Sequence, residues 1–185
     1  MYDLKIAEVL DFVRRSNVRG LLLQFADGLK SCSYLVAEEL FEKFPSLELS
    51  ISGSNCYGAC DVAFEEALSV GADGIIHYGH TPFPETFAYA NKVRINVLFL
   101  EAFSTLEPSK VLDKALDLLR SMGDVANVGV TASLQEVPYI ALAKQLLEKE
   151  GYYVHVGTGS NRVKYPGQVL GCDYTSATSI KDEVE

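Results

Sequence analysis

Residues 18–25 read Val18-Arg19-Gly20-Leu21-Leu22-Leu23-Gln24-Phe25, a short apolar run with a glycine at its entry. Its length suits a strand buried on both faces, which needs no polar alternation. On either side the pattern turns helical. Residues 3–16 carry Leu4, Ala7, Leu10 and Phe12–Val13 on one face, and residues 29–44 read as a second helix stopped before Pro45. Residues 47–53 alternate as a strand, 61–70 as a helix ending at Gly71, and GADGIIHYGH and RINVLFLEAF each hold a further strand. The order β-α-β-α-β predicts an α/β domain, a parallel sheet with helices on both faces.

A second unit starts near residue 105. Residues 108–121 read as a helix, 125–131 as a strand, 136–150 as a helix and 152–156 as a strand, followed by a turn-rich tail. The expected division is therefore 1–104 and 105–185. The second unit is small for an independent domain, and we expect it to be incomplete or finished by another chain.

Composition narrows the function classes. Forty-eight per cent of the 185 residues are hydrophobic, ample for a packed core, and the net charge is −9 from 25 acids and 16 bases. The bases are scattered, whereas phosphate neutralisation calls for a basic patch, so a nucleic-acid partner is not expected. No apolar run approaches the roughly 20 residues of a membrane helix. The N-terminus lacks a signal-peptide layout, so we expect a cytoplasmic protein without a membrane partner. Cys32, Cys56, Cys60 and Cys172 are then thiols, metal ligands or catalytic groups rather than disulfides.

Chemistry concentrates in three places. Ser52-Gly53-Ser54-Asn55-Cys56-Tyr57-Gly58-Ala59-Cys60-Asp61 joins a strand to a helix, at the sheet edge where α/β folds bind ligands. Cys60 is expected near the helix N-terminus, where the dipole favours a thiolate. The alternative is a small buried apolar residue. Cys56, four residues earlier, is open to a ligand role but reads more simply as a loop thiol. His77-Tyr78-Gly79-His80 ends the next strand. Its two imidazoles at i,i+3 suit a metal, although a hydrogen-bonded scaffold is the commoner use. Asp27, after Gln24-Phe25-Ala26, is expected to cap the following helix. No Gly-Lys-Ser/Thr phosphate loop is present. Finally, Tyr165-Pro166-Gly167-Gln168-Val169-Leu170-Gly171-Cys172-Asp173 reads as a shaped loop that exposes Cys172. Cys32 reads as core packing on the second helix.

Four tracts in this order, QFADGL, SGSNCYGACDVA, GADGIIHYGH and YPGQVLGCD, resemble the diphthamide synthase family, which builds 3-amino-3-carboxypropyl-histidine. The likeness runs from about residue 5 to residue 175. Ala26-Asp27 departs from the Pro-Glu common in the family. The resemblance implies repeated Rossmann-like or flavodoxin-like α/β domains, three in all. Each gives one cysteine to a [4Fe–4S] cluster. The YGAC and LGC cysteines correspond to Cys60 and Cys172, and the third domain has no counterpart in this sequence.

The implied reaction is a non-canonical radical S-adenosylmethionine transfer. One electron cleaves the cofactor's sulfur–Cγ bond, and the 3-amino-3-carboxypropyl group goes to C2 of a histidine of translation elongation factor 2. The implied pocket-wall residues are Tyr57, Gly58, His77, Tyr78, Gly79, His80 and Gln168, with Gln24 and Gln135 as weaker candidates. Implied partners are the elongation factor, an electron donor, and either a second copy in a homodimer or, in a heteromer, a different chain that supplies the third domain. Two other functions stay open: a non-catalytic scaffold subunit, and a cluster-free flavodoxin-like binding module.

Overall fold

The computed structural model describes residues 2–184. The chain forms two compact units, one of residues Asp3–Ala102 and the other of Tyr2 with the residues from Phe103 onward.

The first unit is built on strand β1, Gly20–Phe25, every residue of which is buried. It pairs in parallel with β2 (Glu48–Ile51) on one side and β3 (Gly74–Tyr78) on the other, and β4 (Asn96–Leu100) follows β3. The order is therefore β2-β1-β3-β4. Parallel neighbours need crossovers. Helix α1 (Ile6–Ser16) precedes β1, and α2 (Ser33–Lys43), α3 (Phe64–Ser69) and α4 (Pro84–Val93) supply the crossovers.

Alternation along the strands sorts side chains to two faces. Leu22 and Ile75 point to one, where they pack with Phe64 and Ala67 of α3 and Ala90 of α4. Phe25 and Tyr78 point to the other and stack with ring centroids 4.4 Å apart. The Tyr78 hydroxyl donates to the Leu4 carbonyl at 2.9 Å, just before α1. Tyr78→Phe deletes that one bond and is expected to lower stability by about 1 kcal/mol, read as a shift in the urea midpoint at unchanged slope.

Two helical expectations need correction. Residues 29–44 are not one helix: a 3-10 segment, Asp27–Cys32, precedes α2. Asp27 lies inside that segment, and no side chain caps it. Its carboxylate is instead engaged by Lys30 and the Cys56 amide. Helix α4, between the third and fourth strands, was not anticipated. Cys32 is half-buried, at the junction of the 3-10 segment and α2 rather than in the core.

In the second unit, α5 (Ser109–Ser121) precedes β5 (Asn127–Gly129). A 3-10 turn (Leu134–Tyr139) and α6 (Ile140–Lys149) then lead to β6 (Tyr153–His155), parallel to β5. Leu116, Leu147 and Val154 form its core. A one-turn helix α7 (Thr175–Thr178) lies in the tail.

Candidate functional site

The chain folds β1 toward β2 on one side and β3 on the other, so the sheet's switch point lies between β1 and β3. Ligands of open α/β sheets bind beyond the strand ends at such a point. Gln24 and His77 are register partners there. Both are fully or almost fully buried.

Their hydrogen bonds fix the protonation of the whole group. The Gln24 Nε2 donates to the Asp61 carbonyl at 2.5 Å, and its Oε1 accepts the Ala63 amide at 3.0 Å. The Gln24 Oε1 is thus an acceptor, and His77 Nδ1, 2.8 Å away, must donate to it. Burial, with a smaller push from His80, lowers the His77 pKa to about 3. The ring is neutral near pH 7, so Nε2 carries a bare lone pair. That lone pair faces His80 Nδ1 at 2.9 Å, which makes His80 the donor.

Gly79 makes the meeting possible. Its φ of +96° turns the chain just after β3, a conformation that L side chains avoid. Burial also lowers the His80 pKa, opposed by the Asp61 charge.

Cys56 completes the cluster. Its Sγ lies 4.0 Å from His77 Nε2, and the residue is 2% exposed. The loop that carries it is tied from below. The Cys56 amide donates to Asp27 Oδ1 at 3.2 Å, Asp27 pairs with Lys30 at 2.8 Å, and Lys30 donates to the Ser54 carbonyl at 2.7 Å. Lys30 first, then the Cys56 amide, holds the Asp27 carboxyl below the usual range. Burial pushes the Cys56 thiol up to about 11.

Cys60 behaves differently: it is exposed. A turn in which Asp61 N–H donates to the Gly58 carbonyl at 3.0 Å, and Asp61 Oδ2 accepts the Tyr57 amide at 3.0 Å, holds it out. The expectation of a helix N-terminus at Cys60 is not met. Helix α3 begins at Phe64, because the Ala63 amide bonds to Gln24 and the Phe64 amide to the Val62 carbonyl. The helix dipole therefore gives no account of this thiol. Cys60 lines an open depression of about 380 Å³ with Val62, Phe64, Phe83, Thr86 and Tyr89.

Of the other named residues, Tyr57 is 75% exposed. Tyr78 lies on the opposite sheet face from His77 and belongs to the core. In the second unit Cys172 is exposed at the corner of the turn Leu170–Asp173, whose end residues exchange backbone hydrogen bonds of 2.9 and 3.2 Å. Asp173 accepts from Ser160 and Thr175, which hold its carboxyl below the usual range. Gln168 is fully buried, and its Oε1 clamps the loop by accepting the Lys164 and Tyr165 amides at 2.9 and 3.1 Å. The Gln135 carbonyl accepts the Ser104 amide at 2.8 Å.

The structure thus groups Gln24, Cys56, His77 and His80, and leaves Cys60 and Cys172 as exposed loop thiols. Gln24, only a weaker candidate from the sequence, is central in the structure, bonded to Asp61, Ala63 and His77. Gln24-Phe25 and His77-Tyr78 each close a strand as polar residue then aromatic, and that shared ending signals that the two polar residues are neighbours across parallel strands.

Comparison with known proteins gives this arrangement its family. Residues 25–185 match the family model described as "Putative diphthamide synthesis protein". The chain belongs to that family. The 2-(3-amino-3-carboxypropyl)histidine synthase of Pyrococcus horikoshii is 31% identical over 179 residues, 96% of this chain and 49% of the relative. Subunit 1 of the Dictyostelium discoideum synthase is 29% identical over 175 residues, 92% of this chain and 34% of the relative. The crystal structure of Dph2 from Pyrococcus horikoshii superposes with a TM-score of 0.79 at 31% identity, over 96% of this chain and 50% of that one. A second structure of the same protein, with a 4Fe-4S cluster, gives a TM-score of 0.77 at 30% identity. The chain therefore spans about half the length of the Pyrococcus horikoshii relative and about a third of the Dictyostelium one. Among the described residues no helix is long and apolar enough to cross a membrane.

Proposed function

We propose that the chain is the part bearing two of the three cluster cysteines of a 2-(3-amino-3-carboxypropyl)histidine synthase that works on elongation factor 2 in the cytoplasm, in diphthamide biosynthesis. The observation that carries this reading is the pair of exposed thiols, Cys60 and Cys172, in the two tracts that resemble the family's cluster ligands. Iron–sulfur clusters are held by cysteine thiolates, and an exposed loop thiol outside any disulfide suits that role. Cys56 stands apart from that pair, its sulfur buried beside His77 Nε2 at 4.0 Å.

In this reading Cys60 and Cys172 each lend a sulfur to one [4Fe–4S] cluster, and a third comes from the portion of the relatives that this chain does not span. In this proposal that portion belongs to a further stretch of chain or to a separate, related subunit. When bound, the cluster supplies the electron that breaks the sulfur–Cγ bond of S-adenosylmethionine. The chain's own residues have supporting tasks. The Asp61–Gly58 turn presents Cys60, the Leu170–Asp173 turn presents Cys172, and the mostly apolar depression beside Cys60, which Glu85 also lines, shields part of the cosubstrate from water. Its volume lies within the range of small-molecule sites.

The test is an anaerobic assay. The chain is mixed with a polypeptide carrying the remaining half, plus iron, sulfide, a reductant, S-adenosylmethionine and elongation factor 2. The expected product is the factor heavier by one 3-amino-3-carboxypropyl group on a histidine, found by peptide mass spectrometry. An assembly that binds iron and cosubstrate yet leaves the factor unmodified overturns the enzymatic role and favours a scaffold subunit.

A further inference from the structure

We infer that Cys56, His77 and His80 form a second metal site, independent of the cluster cysteines, for a single divalent ion of the zinc class. Their ligand atoms all lie within 4.8 Å of one another. A tetrahedral zinc with nitrogen ligands near 2.0 Å and sulfur near 2.3 Å separates its ligands by about 3.3 Å (N to N) and about 3.5 Å (N to S). His77 Nε2 lies 2.9 Å from His80 Nδ1 and 4.0 Å from Cys56 Sγ. The two imidazole nitrogens must spread by about 0.4 Å and Cys56 must close on His77 by about 0.5 Å, while the Cys56–His80 pair closes from within 4.8 Å as the loops that carry them draw in.

The surroundings suit a ligand set as well as the distances do. A ligating histidine commonly donates its second N–H to a carbonyl that fixes tautomer and ring orientation. Gln24 does this for His77, and its own amide is locked at both ends by the Asp61 carbonyl and the Ala63 amide. The His77 lone pair therefore faces the other two donors before any ion arrives. Binding requires only that neutral His80 carry its proton on Nε2 instead of Nδ1 and that Cys56 release its own.

Charge is balanced nearby. A divalent ion with one thiolate and two neutral imidazoles leaves one positive charge. The carboxylates of Asp27 and Asp61 both act electrostatically on Cys56, and Asp61 acts on His80. Lys30, also near Cys56, is held in its ion pair with Asp27. One sulfur and two imidazoles select zinc, cobalt or a similar ion over magnesium or calcium. With three protein ligands the fourth position is left for water, and His80, only partly buried, is the member of the set nearest to solvent.

Cobalt(II), as a spectroscopic substitute for zinc, tests the site without reference to catalysis. The chelator-treated 185-residue chain is titrated with Co²⁺ under argon. The expected result is one ion per chain, the intense visible bands of tetrahedral cobalt and a near-ultraviolet thiolate charge-transfer band, all displaced by Zn²⁺. Cys56→Ser should remove the charge-transfer band and His80→Asn should weaken binding at least tenfold. The Cys60→Ala, Cys172→Ala double variant should bind cobalt as the parent does. X-ray absorption of the parent complex, which needs no variant, should count one sulfur and two imidazoles. Absence of binding, a sulfur-free ion, or loss of the signal in the double variant overturns the site. Because the double variant removes the proposed cluster ligands, failure of the cluster reading leaves this result untouched.

Discussion

Cys60→Ala and Cys172→Ala, made singly in the completed assembly, are each expected to abolish the broad visible absorbance of the reconstituted iron–sulfur cluster and to reduce product at least a hundredfold. The size follows from ligand number. Three thiolates can hold a cubane and leave one iron open, whereas two leave a labile centre. Both side chains are exposed on turns built by other residues, so folding should barely change; surface substitutions away from special features stay within about 0.5 kcal/mol. Cys32→Ala supplies the control, since Cys32 lies in neither tract. Iron content and absorbance measured after anaerobic reconstitution decide the matter. Normal iron loading in both variants would remove the basis of the proposed function.

Much of the fold was legible because the decisive strands are short apolar runs. Leu21–Leu23 and Ile75–Ile76 are fully buried, and nothing but a two-sided sheet accommodates them between amphipathic helices. The elements that were missed lack such a pattern. Helix α4 starts at Pro84 after Thr81-Pro82-Phe83, a stretch that reads as loop, although a proline in the first turn is itself a start signal.

The site was legible in its parts and illegible in its assembly. Spacing places Cys56 and Cys60 four apart in one loop, yet one is buried and the other exposed. That difference arises from Asp27, 29 residues before Cys56, which anchors its amide. Likewise, no local pattern reveals that Gln24 reads the tautomer of His77, 53 residues away. Asp27 and Gln24 act through the pairing of β1 with its neighbours, and a pairing across the sheet leaves only a faint mark along the chain.

The same buried imidazole predicts how the metal-free chain responds to acid. His77 has an ordinary pKa of 6.5 and a folded value of about 3. Between these the unfolded chain binds more protons than the folded one, so stability must fall as pH falls through that interval, by at most about 1.4 kcal/mol per pH unit. Above 6.5 the contribution is fully present. His80, also lowered by burial, acts with the same sign. The carboxyls held below their ordinary range, at Asp27, Asp173 and Glu42, have reference values of 3.8, 3.8 and 4.5 and lose their contributions mainly below those values. The window from pH 4.5 to 6.5 therefore isolates the imidazoles. Urea unfolding at steps across it should show the midpoint dropping in the parent, and dropping less steeply in His77→Gln, whose amide has nothing to titrate. Equal slopes for the two proteins would mean that His77 is solvated or charged in the folded state. The neutral tautomer deduced from Gln24, and the lone pair on which the second metal site depends, would then be lost with it.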